Sequence, residues 1–255
     1  MKKKMLFGII VVVTLLLISM YFLIFRAKKE TIFLDEFKGD NTKGRFVMEA
    51  ENYSHRTSTA NGSWWEVNGK DNKFIEWPKA GKAAPTAKSG AHGNYMETLG
   101  KSIGDITPIS DKYRGSFLDY KISIEKAGTY VLYLRWTGRN GNTDSVYAFI
   151  LNPDGTLLRR PGPDYLDFFL YHGRTDWTWD NIGLKNRIDA AYAGRNAYAA
   201  WIIPELGIYT IRLALRETET AVDTLVFQTE NLPPPTEEQG TDKIDSRNEE
   251  QERYW

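Results

Sequence analysis

Past residue 25 the chain carries no long helical stripe; it carries strand-length apolar segments cut by turn chemistry. Residues 117–124, 129–136, 145–151, 167–171, 197–203, 208–215 and 222–228 each run apolar or alternate. Between them stand Lys126-Ala127-Gly128, Arg139-Asn140-Gly141-Asn142, Asn152-Pro153-Asp154-Gly155 and Glu205-Leu206-Gly207. Glycine supplies positive φ, Asn and Asp bond their own backbone, and Pro presets φ, so each group reads as a turn. In 208–215 the apolar Tyr209, Ile211, Leu213 and Leu215 alternate with Thr210, Arg212 and Ala214. That period of two marks a strand with one buried face. Many short strands at close spacing predict an all-β fold, a β-sandwich or jelly roll.

Ahead of the strands, Lys2, Lys3 and Lys4 precede an apolar run over residues 5–25, followed by Arg26-Ala27-Lys28-Lys29. A bilayer-spanning helix needs about 20 residues. No small-x-small cleavage site follows, so residues 1–30 are expected to form an uncleaved signal anchor, a single N-terminal transmembrane helix. Residues 31–45 read as a linker, 46–230 as one β-rich domain and 231–255 as an acidic, disordered tail. The domain is expected on the extracytoplasmic side, at the cell surface or in the periplasm. There is no Cys, which excludes disulfides, thiol catalysis and Cys-based zinc sites. With 33 basic and 33 acidic residues the formal charge is zero, and no basic tract lies outside the membrane flanks, so a nucleic-acid partner is not expected.

Two carboxylates near the start of the β-domain suggest an ion site. Val47-Met48-Glu49-Ala50-Glu51-Asn52 reads as a strand, placing Glu49 and Glu51 on one face. Like charges side by side are tolerated best with a cation between them. Asp223, in the closing strand Ala221-Val222-Asp223-Thr224-Leu225-Val226, supplies a third carboxylate. Three carboxylates suit a hard cation such as Ca²⁺. The plainer reading is a solvated strand edge bearing two glutamates.

The ordered series of segments resembles a known family. Met48-Glu49-Ala50-Glu51-Asn52-Tyr53 opens it, and Ser89-Gly90 with Asn94-Tyr95-Met96-Glu97 follows. Leu118-Asp119-Tyr120-Lys121-Ile122 and Ala127-Gly128-Thr129-Tyr130-Val131-Leu132-Tyr133-Leu134-Arg135 come next, and Gly207-Ile208-Tyr209-Thr210-Ile211 and Val222-Asp223-Thr224-Leu225 close it. Over roughly residues 46–229 this is similar to the carbohydrate-binding modules of families 6 and 35 and their galactose-binding-like relatives. The resemblance implies a two-sheet jelly roll with a structural Ca²⁺ between first and last strands, held by Glu49, Glu51 and Asp223. It implies a ligand in loops at one end of the sandwich or on a concave sheet face. The chain departs from the pattern in a long stretch at 153–196, where a short helix is expected around 186–193. It departs again at 61–87, which carries Trp64, Trp65 and Trp77.

Sugar rings stack their aliphatic C–H faces on flat aromatics and bond through their hydroxyls to Asn, Asp and Arg. Trp177-Thr178-Trp179-Asp180 places two indoles in a polar segment, on one face if it is extended. They are the expected stacking platform, with Arg139, Asn142 and Asp144 as the hydrogen-bonding set; the plainer reading has the indoles capping the core. Trp64 and Trp65 are a second candidate platform, of which at most one can serve because adjacent strand residues face opposite ways. Arg216-Glu217 reads as a salt bridge ordering a strand end.

His55, His92 and His172 sit in no recognisable catalytic motif, and no nucleophile elbow, phosphate loop, dinucleotide fingerprint or His-Glu-x-x-His is present. The expected function is a non-catalytic, membrane-anchored module binding polysaccharide or a cell-surface glycan. The alternative is a structural or assembly protein that self-associates through the sandwich and the N-terminal helix.

Overall fold

The computed structural model describes residues 44–60, 62–103, 115–140, 143, 145–159, 166–169, 176–180, 182–183 and 197–236. The apolar run at 5–25, the helix expected at 186–193 and the tail beyond residue 236 lie outside them. No helix of the described residues is long and apolar enough to cross a membrane.

The described residues are all-β. The strands are β1 (Arg45–Glu49), β2 (His55–Arg56), β3 (Gly62–Asn68), β4 (Lys73–Phe74), β5 (Asn94–Gly100), β6 (Phe117–Ile124), β7 (Gly128–Gly138) and β8 (Ser145–Leu151). After them come β9 (Leu166–Phe169), β10 (Thr178–Asp180), β11 (Ile182–Gly183), β12 (Ala197–Tyr198), β13 (Ala200–Ile203), β14 (Gly207–Leu215) and β15 (Thr220–Thr229). Two antiparallel sheets result. One runs β12-β11-β9-β8-β14-β6-β2; the other runs β10-β7-β15-β5-β3-β4, with β1 added on β15 and β13 on β7.

One apolar core joins the sheets. Leu118, Tyr120 and Ile122 of β6, Ile150 of β8 and Tyr209, Ile211 and Leu213 of β14 face Trp64, Met96, Leu134, Trp136, Leu225 and Phe227 of the other sheet. Each such side chain contributes roughly 1.5–3 kcal/mol when fully buried. The period-two reading of 208–215 holds: Tyr209, Ile211, Leu213 and Leu215 are all buried. Arg212 and Asp119, opposite each other in β14 and β6, form a bidentate pair at 2.7 and 2.8 Å on the outer face.

Two features of β1 differ from expectation. All of Phe46 to Glu49 is buried, so β1 is wedged into the fold rather than lying as a solvated edge. The strand also ends at Glu49. Asn52 N–H turns back to the Glu49 carbonyl at 3.0 Å, and the Tyr120 hydroxyl takes the Ala50 carbonyl at 2.7 Å. Strand alternation therefore does not put Glu51 beside Glu49; Glu51 belongs to the turn.

Candidate functional site

The outer face of the sheet containing β7 and β15 gathers most of the residues singled out by sequence. In β10, Trp179 lies opposite Arg135 of β7, and directly opposed antiparallel residues share a face. Trp177, two positions earlier, joins it on that side: the Arg135 guanidinium is 5.5 Å from its ring centroid. The Tyr95 ring meets Trp177 edge-on at 5.3 Å. Gly90, at φ +99°, lies beneath, where an added Cβ would stand 3.5 Å from the Trp177 ring. The two indoles are half-buried. Their Nε1 atoms are enclosed and have no hydrogen-bond partner among the described residues. An enclosed donor without an acceptor costs about 1–3 kcal/mol, and being enclosed these two nitrogens are not presented to a ligand on the outer face.

Arg135 links this platform to the carboxylates. At Asp223 the β15 register slips, passing from Val222 opposite Trp136 to Thr224 opposite Arg135, and the extra residue is a bulge that aims the Asp223 carboxylate into the site. Asp223 is fully buried. Arg135 Nη1 donates to its Oδ2 at 2.5 Å and the His92 backbone N–H to its Oδ1 at 3.1 Å, while Arg135 Nη2 donates to the Gly90 carbonyl at 2.8 Å. Burial pushes the Asp223 carboxyl up, with Arg135 and His92 pulling it back. The Thr224 hydroxyl stands 3.1 Å from Glu49 Oε2 and 3.4 Å from Asp223 Oδ2. Two of the three expected metal-binding carboxylates thus meet at one hydroxyl. Their chemistry suits a hard cation, though Asp223 already carries a guanidinium. Among the described residues no three His, Cys, Asp or Glu side chains are grouped to hold a metal ion.

The rim of the same face is polar. Arg139, exposed, donates from Nη1 to both Glu219 oxygens at 3.0 Å. The Glu219 carbonyl accepts the Thr86 hydroxyl at 3.0 Å. Thr86 N–H donates to Glu97 Oε1 at 2.9 Å, and its hydroxyl, also 2.7 Å from that oxygen, has one proton to share between Glu97 and the Glu219 carbonyl. Burial pushes the Glu97 carboxyl up to about 7. Asn142 and Asp144 lie outside the described residues. Arg216 is buried, pairs with Glu217 at 2.9 Å and donates to the Ser145 hydroxyl, a structural role at the end of β14.

The second candidate platform is corrected in part. Trp64 is fully buried in the core, its indole donating to the Ser116 carbonyl at 3.3 Å, and it offers no face to a ligand. Trp65 points the other way, as alternation requires, onto Phe74 at 6.4 Å, with the Lys79 ammonium 5.3 Å from its ring. Sequence reasoning missed Arg135, Tyr95 and His92 as parts of the site. The available signal was Arg135 itself, a charge within an otherwise apolar strand; such a residue is almost never fully buried unless paired.

No protein-family profile matches the sequence, and no curated protein matches it. Solved structures do. The GH26-CBM35 β-(1,4)-mannanase of Podospora anserina is 14% identical with a TM-score of 0.41, covering 76% of this chain and 29% of that one. A family 35 carbohydrate-binding module from Clostridium thermocellum is 13% identical with a TM-score of 0.39, covering 72% of this chain and 98% of its own length. The C-terminal CBM6 of LamC, a marine laminarinase from Zobellia galactanivorans, is 12% identical with a TM-score of 0.37, covering 72% and 99%. The chain therefore spans under a third of the mannanase and nearly the whole of each isolated module.

Proposed function

We propose that this chain is a non-catalytic glycan-binding module built on a jelly-roll sandwich and tethered to a membrane through residues 5–25, with the domain on the extracytoplasmic side. One observation carries the binding reading. Trp177 and Trp179 share one face of the sheet, backed by Arg135 and Tyr95. A pyranose laid on that face meets aromatic surface. Arg139 and Glu219 stand at the rim as further donors and acceptors.

Glu49, Glu51 and Asp223 are the proposed ligands of a structural Ca²⁺. Supporting this is the convergence of Glu49 and Asp223 on the Thr224 hydroxyl at the junction of first and last strands. The ion would supply charge neutralisation and hold β1 to β15. Arg135 neutralises Asp223 from the β7 side.

The test is a glycan-array screen of the full chain in detergent micelles. Selective binding to one polysaccharide class is expected. Detectable turnover of that polysaccharide, or no binding on the whole array, would overturn the reading.

A further inference from the structure

Among the described residues the most exposed large apolar side chain is Trp77, at 87%. It does not sit on a loose loop. Lys79 N–H donates to the Glu76 carbonyl at 2.9 Å, closing a turn around Trp77 and Pro78. Below the turn, Gly81 N–H donates to the Phe74 carbonyl at 2.8 Å, Phe74 N–H to the Lys82 carbonyl at 3.0 Å and Ile75 N–H to the Glu66 carbonyl at 3.1 Å. The neighbouring carboxylate is fixed too: Arg56 Nη1, reaching across from β2 of the other sheet, donates to both Glu76 oxygens at 2.8 and 2.9 Å. A rigid support for a solvent-facing indole serves no need of the core.

The surroundings say what such an indole fits. Glu76, Arg56 and Lys79 flank the turn with charged acceptors and donors; Ile75, 43% exposed, is the one other large exposed apolar side chain close by in sequence, beside the small exposed Pro78, Ala80 and Ala83. Protein-docking patches are contiguous and apolar over hundreds of Å². A sugar ring needs one flat aromatic face ringed by hydrogen-bonding groups. The turn also has a fixed relation to the first platform. Phe74, Trp65, Tyr95 and Trp177 form one cluster on the sheet that has β4 at one edge and β10 at the other. Tyr95, against which Trp177 packs, stands in β5, two interstrand steps of about 4.8 Å, or roughly 10 Å, from β4.

We propose that Trp77 is a second carbohydrate platform, and that the ligand is a polysaccharide long enough to engage Trp77 together with Trp177 and Trp179. This rests on the glycan-binding reading above. Two linked contacts make the second one intramolecular, so polymer affinity exceeds that of a short fragment without any stronger single contact.

The experiment compares wild type, W77A and W177A/W179A, each as the full chain in detergent micelles. The probes are laminarin, mannan, xylan and dextran, followed by the trisaccharide of whichever polymer binds. W77A is expected to weaken polymer binding by about tenfold or more. Its trisaccharide affinity should stay within about twofold and its Tm should not move. W177A/W179A should weaken both probes. Unchanged polymer binding by W77A, with wild type binding normally, overturns this inference and leaves the first platform standing. Equal loss on polymer and trisaccharide overturns the bridging. Failure of wild type to bind any polymer overturns the glycan reading and this inference with it.

Discussion

Replacing Asp223 with alanine strips a buried guanidinium of its carboxylate. The Arg135 side chain is 5% exposed and the Asp223 side chain not at all, so water cannot take over the lost contact. Arg135 keeps the Gly90 carbonyl and its position over Trp177, but a full positive charge stays enclosed. The same change removes the acceptor of the His92 N–H. Breaking one half of a buried ion pair costs about 3–5 kcal/mol. For a domain of this size each kcal/mol lowers Tm by about 2–4 °C, so D223A should melt about 6–20 °C below wild type. The assay is near-UV circular dichroism on heating, which follows the buried tryptophans directly. The cause is isolated by a second variant. D223A/R135M removes both charges and should be more stable than D223A, recovering the part of the loss that comes from the unpaired charge; the His92 N–H and the Gly90 carbonyl still lose these partners. A D223A cost below about 1 kcal/mol, or a double variant no more stable than D223A, would refute the reasoning that Arg135 depends on Asp223 for its buried position.

Two further predictions concern the same face. Because burial raises the Glu97 carboxyl to about 7, the folded state holds that proton more tightly than the unfolded chain does. Stability is then lost as pH rises from about 4.5 to 7 and is flat above, a cost on the order of 3 kcal/mol. E97Q keeps an oxygen for Thr86 without the charge; it should match wild type at pH 5 and exceed it at pH 8, and parallel melting curves at the two pH values check this. Calcium at about 100-fold over its dissociation constant should add about 2.7 kcal/mol over chelator, or about 5–11 °C in Tm, and D223A should abolish the shift. Identical wild-type curves with and without chelator would remove the proposed ion.

The fold was more legible in the sequence than the site. Strands β6 and β8 fall at the bounds assigned from sequence, 117–124 and 145–151: β6 alternates, β8 is a continuous apolar run buried on both faces, and turn residues flank both. The two-sheet arrangement followed from strand number and spacing. Trp64 and Trp65 parted to opposite faces as alternation demands. The strand end at Glu49 was not legible, because it is set by the long-range bond from Tyr120 to Ala50 and by the turn at Asn52, neither encoded in local pattern. The bulge at Asp223 was equally hidden: its segment reads as a regular strand, and only pairing with β7 shows the extra residue. The Asp223–Arg135 pair joins residues 88 positions apart, a separation that no motif spans. The platform at Trp177 and Trp179 was readable as an i, i+2 pair, but its backing by Arg135, Tyr95 and Gly90 depends on three separate segments.

The most direct measurement of the central claim is isothermal titration of the full chain and its W177A/W179A variant with the polysaccharide that the array selects. The folded double variant is expected to lose binding by about tenfold or more, in keeping with the loss of two aromatic contacts. Undiminished binding by a variant with wild-type Tm would contradict it.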